Sequence, residues 1–133
     1  MQLRVDDILK AREAASANVL SVLRQYAAAF SARNLNAVES FRILTSEQRR
    51  GIAGTFAYSS KVETTVIPTR QPEFDPPLSD VATVGETEPS KASIEAQVTI
   101  HVVANNGEER TLRPRVHVGF IRNGANWKIS SWD

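Results

Sequence analysis

The chain has 133 residues, 41% of them hydrophobic and 23% charged, with no cysteine and a formal net charge of +1. That length fits one soluble globular domain. The lack of thiols excludes a disulfide scaffold, a thiolate metal site and a cysteine nucleophile, and the near-neutral charge argues against a dedicated nucleic-acid binder.

The first third reads as helix. From Asp6 to Phe30, apolar residues recur at helical spacing: Ile8, Ala11, Ala15, Val19, Val22, Tyr26 and Phe30, with Leu23 widening the stripe. Asp6 or Asp7 caps the amino end, and Asn34 is placed to stop this helix and to cap a short second one over Leu35 to Phe41. Thr45 followed by Gln48 is a capping-box signature, so a third helix is expected from about Ser46 to Ala57.

The remainder, from about 61 to 132, reads as strands. Lys61 to Ile67 is rich in β-branched residues and stops at Pro68. Gln71 to Pro77 holds three prolines and reads as a loop, with a short strand candidate at Asp80 to Gly85. Ile94, Ala96, Val98, Ile100 and Val102 alternate with polar residues, as do Leu112, Val116, Val118 and Phe120. A last strand runs from Asn126 to Trp132, with Trp127, Ile129 and Ser131 on one face.

Turn parity fixes the expected registers, because a slip of one residue inverts every side chain. A three-residue loop Asn105-Asn106-Gly107 sets Ile100 against Leu112 and Ala96 against Val116. A two-residue loop Asn123-Gly124 sets Phe120 against Trp127 and Val118 against Ile129. Pro114 on the middle strand has no N–H to give and implies a bulge or an unpaired stretch. The fold class is therefore α+β, with N-terminal helices covering the apolar face of a curved antiparallel sheet.

The helix end Leu23-Arg24-Gln25-Tyr26-Ala27-Ala28-Ala29-Phe30, the following Asn34-Leu35-Asn36-Ala37-Val38, and the closing Trp127-Lys128-Ile129-Ser130-Ser131-Trp132 carry a resemblance over nearly the whole chain. It resembles the nuclear transport factor 2-like superfamily, the SnoaL-like or cystatin-like cone. The resemblance implies helices held in the concave face of the sheet, a pocket between them, and a homodimer through the outer sheet face. The scaffold hosts isomerases, dehydratases and non-catalytic modules, so it implies no single activity. The third helix also resembles that of bacterial accessory domains in larger signalling proteins, including kinases.

On this resemblance the pocket is expected among Tyr26, Phe30, Phe41, Phe56, Val98, Val118 and Trp127, with a small apolar ligand as its natural occupant. Tyr26 stands where isomerases of the superfamily place an oxyanion donor. Such chemistry also needs a carboxylate base, and the only acid after the second helix is Glu47, placed to favour the dipole of the third helix. A core tyrosine is the simpler reading of Tyr26. His101 and His117, without thiols or a third ligand, make no metal site, and the six scattered glycines match no phosphate or dinucleotide loop. No cofactor is expected.

The small net charge is a cancellation. Six acids and one base lie between Glu73 and Glu95, and five bases and no acid between Arg110 and Lys128. Arg113, Arg115 and His117, with Trp132 stacked beside Arg115, form a candidate partner surface. No apolar run approaches the roughly 20 residues that span a bilayer, and Asp6, Asp7 and Lys10 interrupt the start, so a cytoplasmic chain is expected. The leading functional expectation is a non-catalytic cone module that binds a small apolar ligand or a protein partner. The competing one is an isomerase- or dehydratase-like enzyme using Tyr26.

Overall fold

The computed structural model describes residues 5–75, 90–123 and 126–133. Three helices come first: α1 (Val5–Ser31), α2 (Leu35–Phe41) and α3 (Ser46–Tyr58). Six strands follow: β1 (Ser59–Pro68), β2 (Glu73–Asp75), β3 (Lys91–Ala104), β4 (Glu109–Leu112), β5 (Arg115–Asn123) and β6 (Asn126–Trp132). No described helix is long and apolar enough to cross a membrane.

The helix boundaries follow local chemistry. Asn34 caps α2 by accepting from the Ala37 N–H. It does not itself stop α1. Arg33 does, with φ of 54°, in the left-handed region usually left to glycine. Asn34 N–H bonds back to Ala29 C=O and Arg33 N–H to Phe30 C=O, which satisfies two of the helix's orphan carbonyls. The Arg33 side chain is held in turn by its Nη1 donating to the Ser59 carbonyl. The capping box at α3 is complete: Thr45 Oγ1 accepts from Gln48 N–H at 3.1 Å, and Gln48 Oε1 accepts from Thr45 N–H at 3.0 Å.

The strands form one antiparallel sheet in the order β1-β3-β5-β6, with β2 and β4 paired to the two halves of β3. Long β3 is the spine. Its carboxyl-terminal half meets β1 on one side and β4 on the other, and its amino-terminal residues meet β2 and β5. The sheet curls strongly into a half-barrel around α1. Phe74 on β2 packs edge-on against Trp127 on β6, with ring centroids 5.9 Å apart, although β3 and β5 lie between those strands.

The β3–β4–β5 register is the one expected from parity: Ile100 opposite Leu112 and Ala96 opposite Val116. Ala104 N–H bonds to Glu108 C=O, and Gly107 takes φ of 91° at the left-handed position of the loop. Pro114 divides the strand into β4 and β5, and its carbonyl accepts from Val98 N–H.

Two expectations are corrected. Glu73–Asp75, inside the stretch read as a loop, is strand β2, because Phe74 gains an apolar seat opposite Ala92. The β5–β6 register is displaced by two residues, with Phe120 opposite Ile129 rather than Trp127. A shift of two preserves facing, so Trp127 and Ile129 stay buried either way. A bulge then places Gly119 opposite Ser131 and Val118 opposite Trp132, with Ser130 as the extra residue. The candidate strand at Asp80 to Gly85 lies outside the described residues.

The core lies between α1 and the inner sheet face. Val19, Leu23, Tyr26 and Ala29 of α1 meet Ile94, Ala96 and Val98 of β3, Val116, Val118 and Phe120 of β5, and Trp127 and Ile129 of β6. Val38 of α2 and Phe56 of α3 close it from the helix side. Each fully buried large side chain, such as Leu23, Phe120 or Ile129, contributes roughly 1.5–3 kcal/mol of transfer free energy.

Candidate functional site

The residues expected to line the cone pocket come together, and they pack against one another. Val98 and Val118 are fully buried, Tyr26 and Trp127 nearly so, and Phe30, Phe41 and Phe56 border the same cluster. Phe30 is edge-on to Phe56 with centroids 5.0 Å apart and tilted against Tyr26 at 6.0 Å. Two grooves open elsewhere. One of about 460 Å³ is lined by residues that include Lys91, Ser93, Gly119, Ile121, Ser130 and Ser131. One of about 420 Å³ lies where Leu20 of α1 meets the segment Pro68–Pro72.

Among the described residues, a half-buried arginine that the sequence pattern did not single out borders the aromatic cluster. Arg42 follows α2 directly, and its N–H bonds to Val38 C=O as the helix cap. Its backbone forms an isolated parallel bridge with Ile129, and Ile43 N–H bonds to Ile129 C=O at 2.9 Å. That bridge docks the end of α2 on β6 and places the Arg42 side chain beside α1. Nη1 donates to the Tyr26 hydroxyl oxygen at 2.8 Å. The guanidinium carbon lies 5.9 Å from the Tyr26 ring centroid and 5.7 Å from that of Trp132. The Tyr26 and Trp132 rings themselves are 5.1 Å apart.

Burial pushes the Tyr26 phenol above its ordinary value of 10.0, and the charge and hydrogen bond of Arg42 offset part of that rise. The phenol therefore stays neutral near neutrality. One sequence signal could have pointed to Arg42: it is a single charge inside the apolar run Phe41-Arg42-Ile43-Leu44. Long polar side chains in such runs need a buried partner.

Trp132 is not part of the outer surface. The bulge at Ser130 reverses the parity of the last strand and turns the indole inward, away from Arg115. Arg115 and His117 are exposed on the outer face, opposite Gln97 and Glu95 of β3. Arg113 is exposed just before β5, where its carbonyl accepts from Gln97 Nε2. Glu95 also pairs with Arg70 at 3.4 Å, so the face carries both signs of charge. His101, farther along, meets Thr111 Oγ1 through Nδ1 at 2.8 Å and Glu109 through Nε2 at 3.6 Å. Glu47 sits in the first turn of α3, as expected of a dipole partner.

No family model matches the chain, and no curated protein matches it. Solved structures do. A candidate aromatic ring hydroxylase from Novosphingobium aromaticivorans aligns over 98% of this chain and 89% of its own, at 19% identity and a TM-score of 0.65. A candidate calcium/calmodulin-dependent protein kinase II association domain from Xanthomonas campestris aligns over 85% of this chain and 84% of its own, at 15% identity and a TM-score of 0.60. A nuclear transport factor 2-like superfamily protein from Salmonella enterica serovar Typhimurium covers 93% of this chain and 90% of its own, at 12% identity and a TM-score of 0.57. Helix order, the curled antiparallel sheet and these likenesses agree: the chain has the nuclear transport factor 2-like fold.

Proposed function

We propose that the chain is a non-catalytic assembly module that pairs with a second copy of itself through the outer face of the sheet. The observation that supports this reading is the contact of Phe30 with Phe56 and Tyr26, and of Tyr26 with Trp132, which sets aromatic rings against one another on the helix side of the sheet. The outer face offers what a symmetric contact needs. Arg115 and His117 stand beside Glu95, so a two-fold pairing can set the arginine of one copy against the glutamate of the other. The likeness to a candidate kinase association domain supports an assembly role, and with it a place as an accessory domain of a larger signalling protein.

Sedimentation velocity tests this reading. The wild-type chain should sediment as a dimer, and Arg115→Glu should shift it toward monomer with an unchanged circular dichroism spectrum. A wild-type chain that stays monomeric at high concentration, or a variant with an unaltered profile, overturns it.

A further inference from the structure

A sheet that does not close into a barrel has edges, and this fold covers two of them. Along β1, Ser31 Oγ of α1 accepts from Thr64 N–H at 2.8 Å, and Arg33 donates to the Ser59 carbonyl. Along β6, the bridge from Arg42 and the bond from Ile43 N–H engage Ile129. β4 is different. It pairs with β3 on one side, and all of its residues, Glu109 to Leu112, are exposed.

The bonds to β3 set which backbone groups of β4 face outward. Ala104 N–H bonds to Glu108 C=O at 2.8 Å, and Val98 N–H bonds to Pro114 C=O at 2.9 Å. Antiparallel pairs alternate between bonded and non-bonded, so Arg110 and Leu112 bond to β3. Glu109, Thr111 and Arg113 then turn their N–H and C=O groups toward the open side. The Arg113 carbonyl accepts from Gln97 Nε2 at 2.9 Å, which leaves its N–H as the group aimed at a neighbouring strand. The Glu109 and Thr111 side chains share the outer face with His101, which contacts both.

A strand edge guarded by one sign of charge repels a copy of itself. This edge carries both signs. In a two-fold antiparallel pairing, a centre on Glu109 or Arg110 sets a like charge against itself. A centre on Leu112 carries the pairing past the break at Pro114. A centre on Thr111 sets Glu109 of one copy opposite Arg113 of the other, and it does so on both sides of the axis. It also lays the Arg110 stem against Leu112, which is half-exposed on the opposite face.

We propose that β4 is a docking edge for β4 of a second copy, antiparallel and centred on Thr111, so that two sheets join into one. The contact is separate from the outer-face pairing. A ladder this short is weak, so it adds a step of association at higher concentration.

The chain has no cysteine, so Thr111→Cys carries a single thiol at the axis. Opposed residues in a bonded antiparallel pair have Cα atoms about 5.5 Å apart, within the span of a disulfide. Under diamide oxidation, Thr111→Cys should form a covalent dimer at least about tenfold faster than Thr55→Cys, an exposed position on α3. Adding Glu109→Arg or Arg113→Glu should remove that advantage, and adding both should restore it. Adding Arg115→Glu should leave it unchanged, which separates this edge from the outer face. Equal rates for Thr111→Cys and Thr55→Cys overturn the proposal. So does a rate that neither charge reversal lowers, that the double reversal fails to restore, or that Arg115→Glu abolishes. The wild-type chain gives a second measure. Amide exchange at Thr111 should slow as concentration rises, and exchange that ignores concentration refutes the edge.

Discussion

Arg42 Nη1 donates to the Tyr26 hydroxyl oxygen at 2.8 Å, and that bond joins the residue after α2 to the buried face of α1. Removing the hydroxyl leaves a half-buried donor without its acceptor. A hydrogen bond to a charged group contributes about 1.5–3 kcal/mol, but here the guanidinium can turn part of its fork to water, so Tyr26→Phe should cost nearer 1 kcal/mol. The fold should persist, because the ring stays in place against Phe30 and Trp132. Urea denaturation with far-ultraviolet circular dichroism measures both. A loss above about 3 kcal/mol would mean the hydroxyl holds a larger buried network than its bond to Arg42.

The same phenol predicts an alkaline response. Its folded value is raised above 10.0 by burial, so the folded chain holds the proton more tightly than the unfolded one. The associated stability is fully present below pH 10 and is lost as pH rises through the folded value. Wild-type stability should therefore fall above about pH 10 more steeply than that of Tyr26→Phe, when both are measured by urea midpoint across that range. Titrating the Tyr58→Phe variant at the phenolate absorbance band isolates Tyr26, one of only two tyrosines in the chain. A midpoint at or below 10.0 contradicts the burial argument.

What the sequence revealed and what it hid divide along the range of the interactions. The helix caps were legible because Asn34 with Ala37, and Thr45 with Gln48, act within three residues. The β3–β4 hairpin was legible because only one loop length pairs Ile100 with Leu112 rather than with an arginine. The β5–β6 register was not. Parity cannot distinguish Phe120 opposite Trp127 from Phe120 opposite Ile129, since both keep apolar against apolar. The bulge was hidden for a related reason. Ser130 and Ser131 look alike in a pattern, and nothing local says which of them is extra. Gly119 was the available clue, because a Cβ there would collide with Ser131 Oγ. Arg42 was missed because its partners lie 16 residues before it and 90 after it, on elements that meet only once the sheet curls around α1.

The inward turn of Trp132 separates the two readings of the last strand by stability. Packed on Tyr26 and half-buried, Trp132 should cost about 2–3 kcal/mol on truncation to alanine, somewhat below the range for a fully buried tryptophan. Arg115→Ala, on the exposed face, should change stability by no more than about 0.5 kcal/mol. A tryptophan stacked on Arg115 outside the sheet would instead give two small and similar values. Thermal denaturation of the two variants, in the monomeric concentration range, makes the comparison.

The capping box at α3 offers the last prediction, and it bears on the cone interior. Thr45 and Gln48 are exposed, so replacing them removes hydrogen bonds without opening a cavity. Thr45→Ala leaves the Gln48 N–H without its side-chain acceptor and should cost about 1 kcal/mol. Gln48→Ala removes only the reciprocal bond to an N–H that water can reach, and should cost less. The loss should reach Phe56, which α3 carries into contact with Phe30. Amide exchange read by NMR in Thr45→Ala should quicken through the first turn of α3, while the α1 amides around Leu23 keep their protection. Exchange that quickens equally in α1 and α3 would show that the three helices open as one unit, and that the cap stabilises the whole helical layer rather than α3 alone.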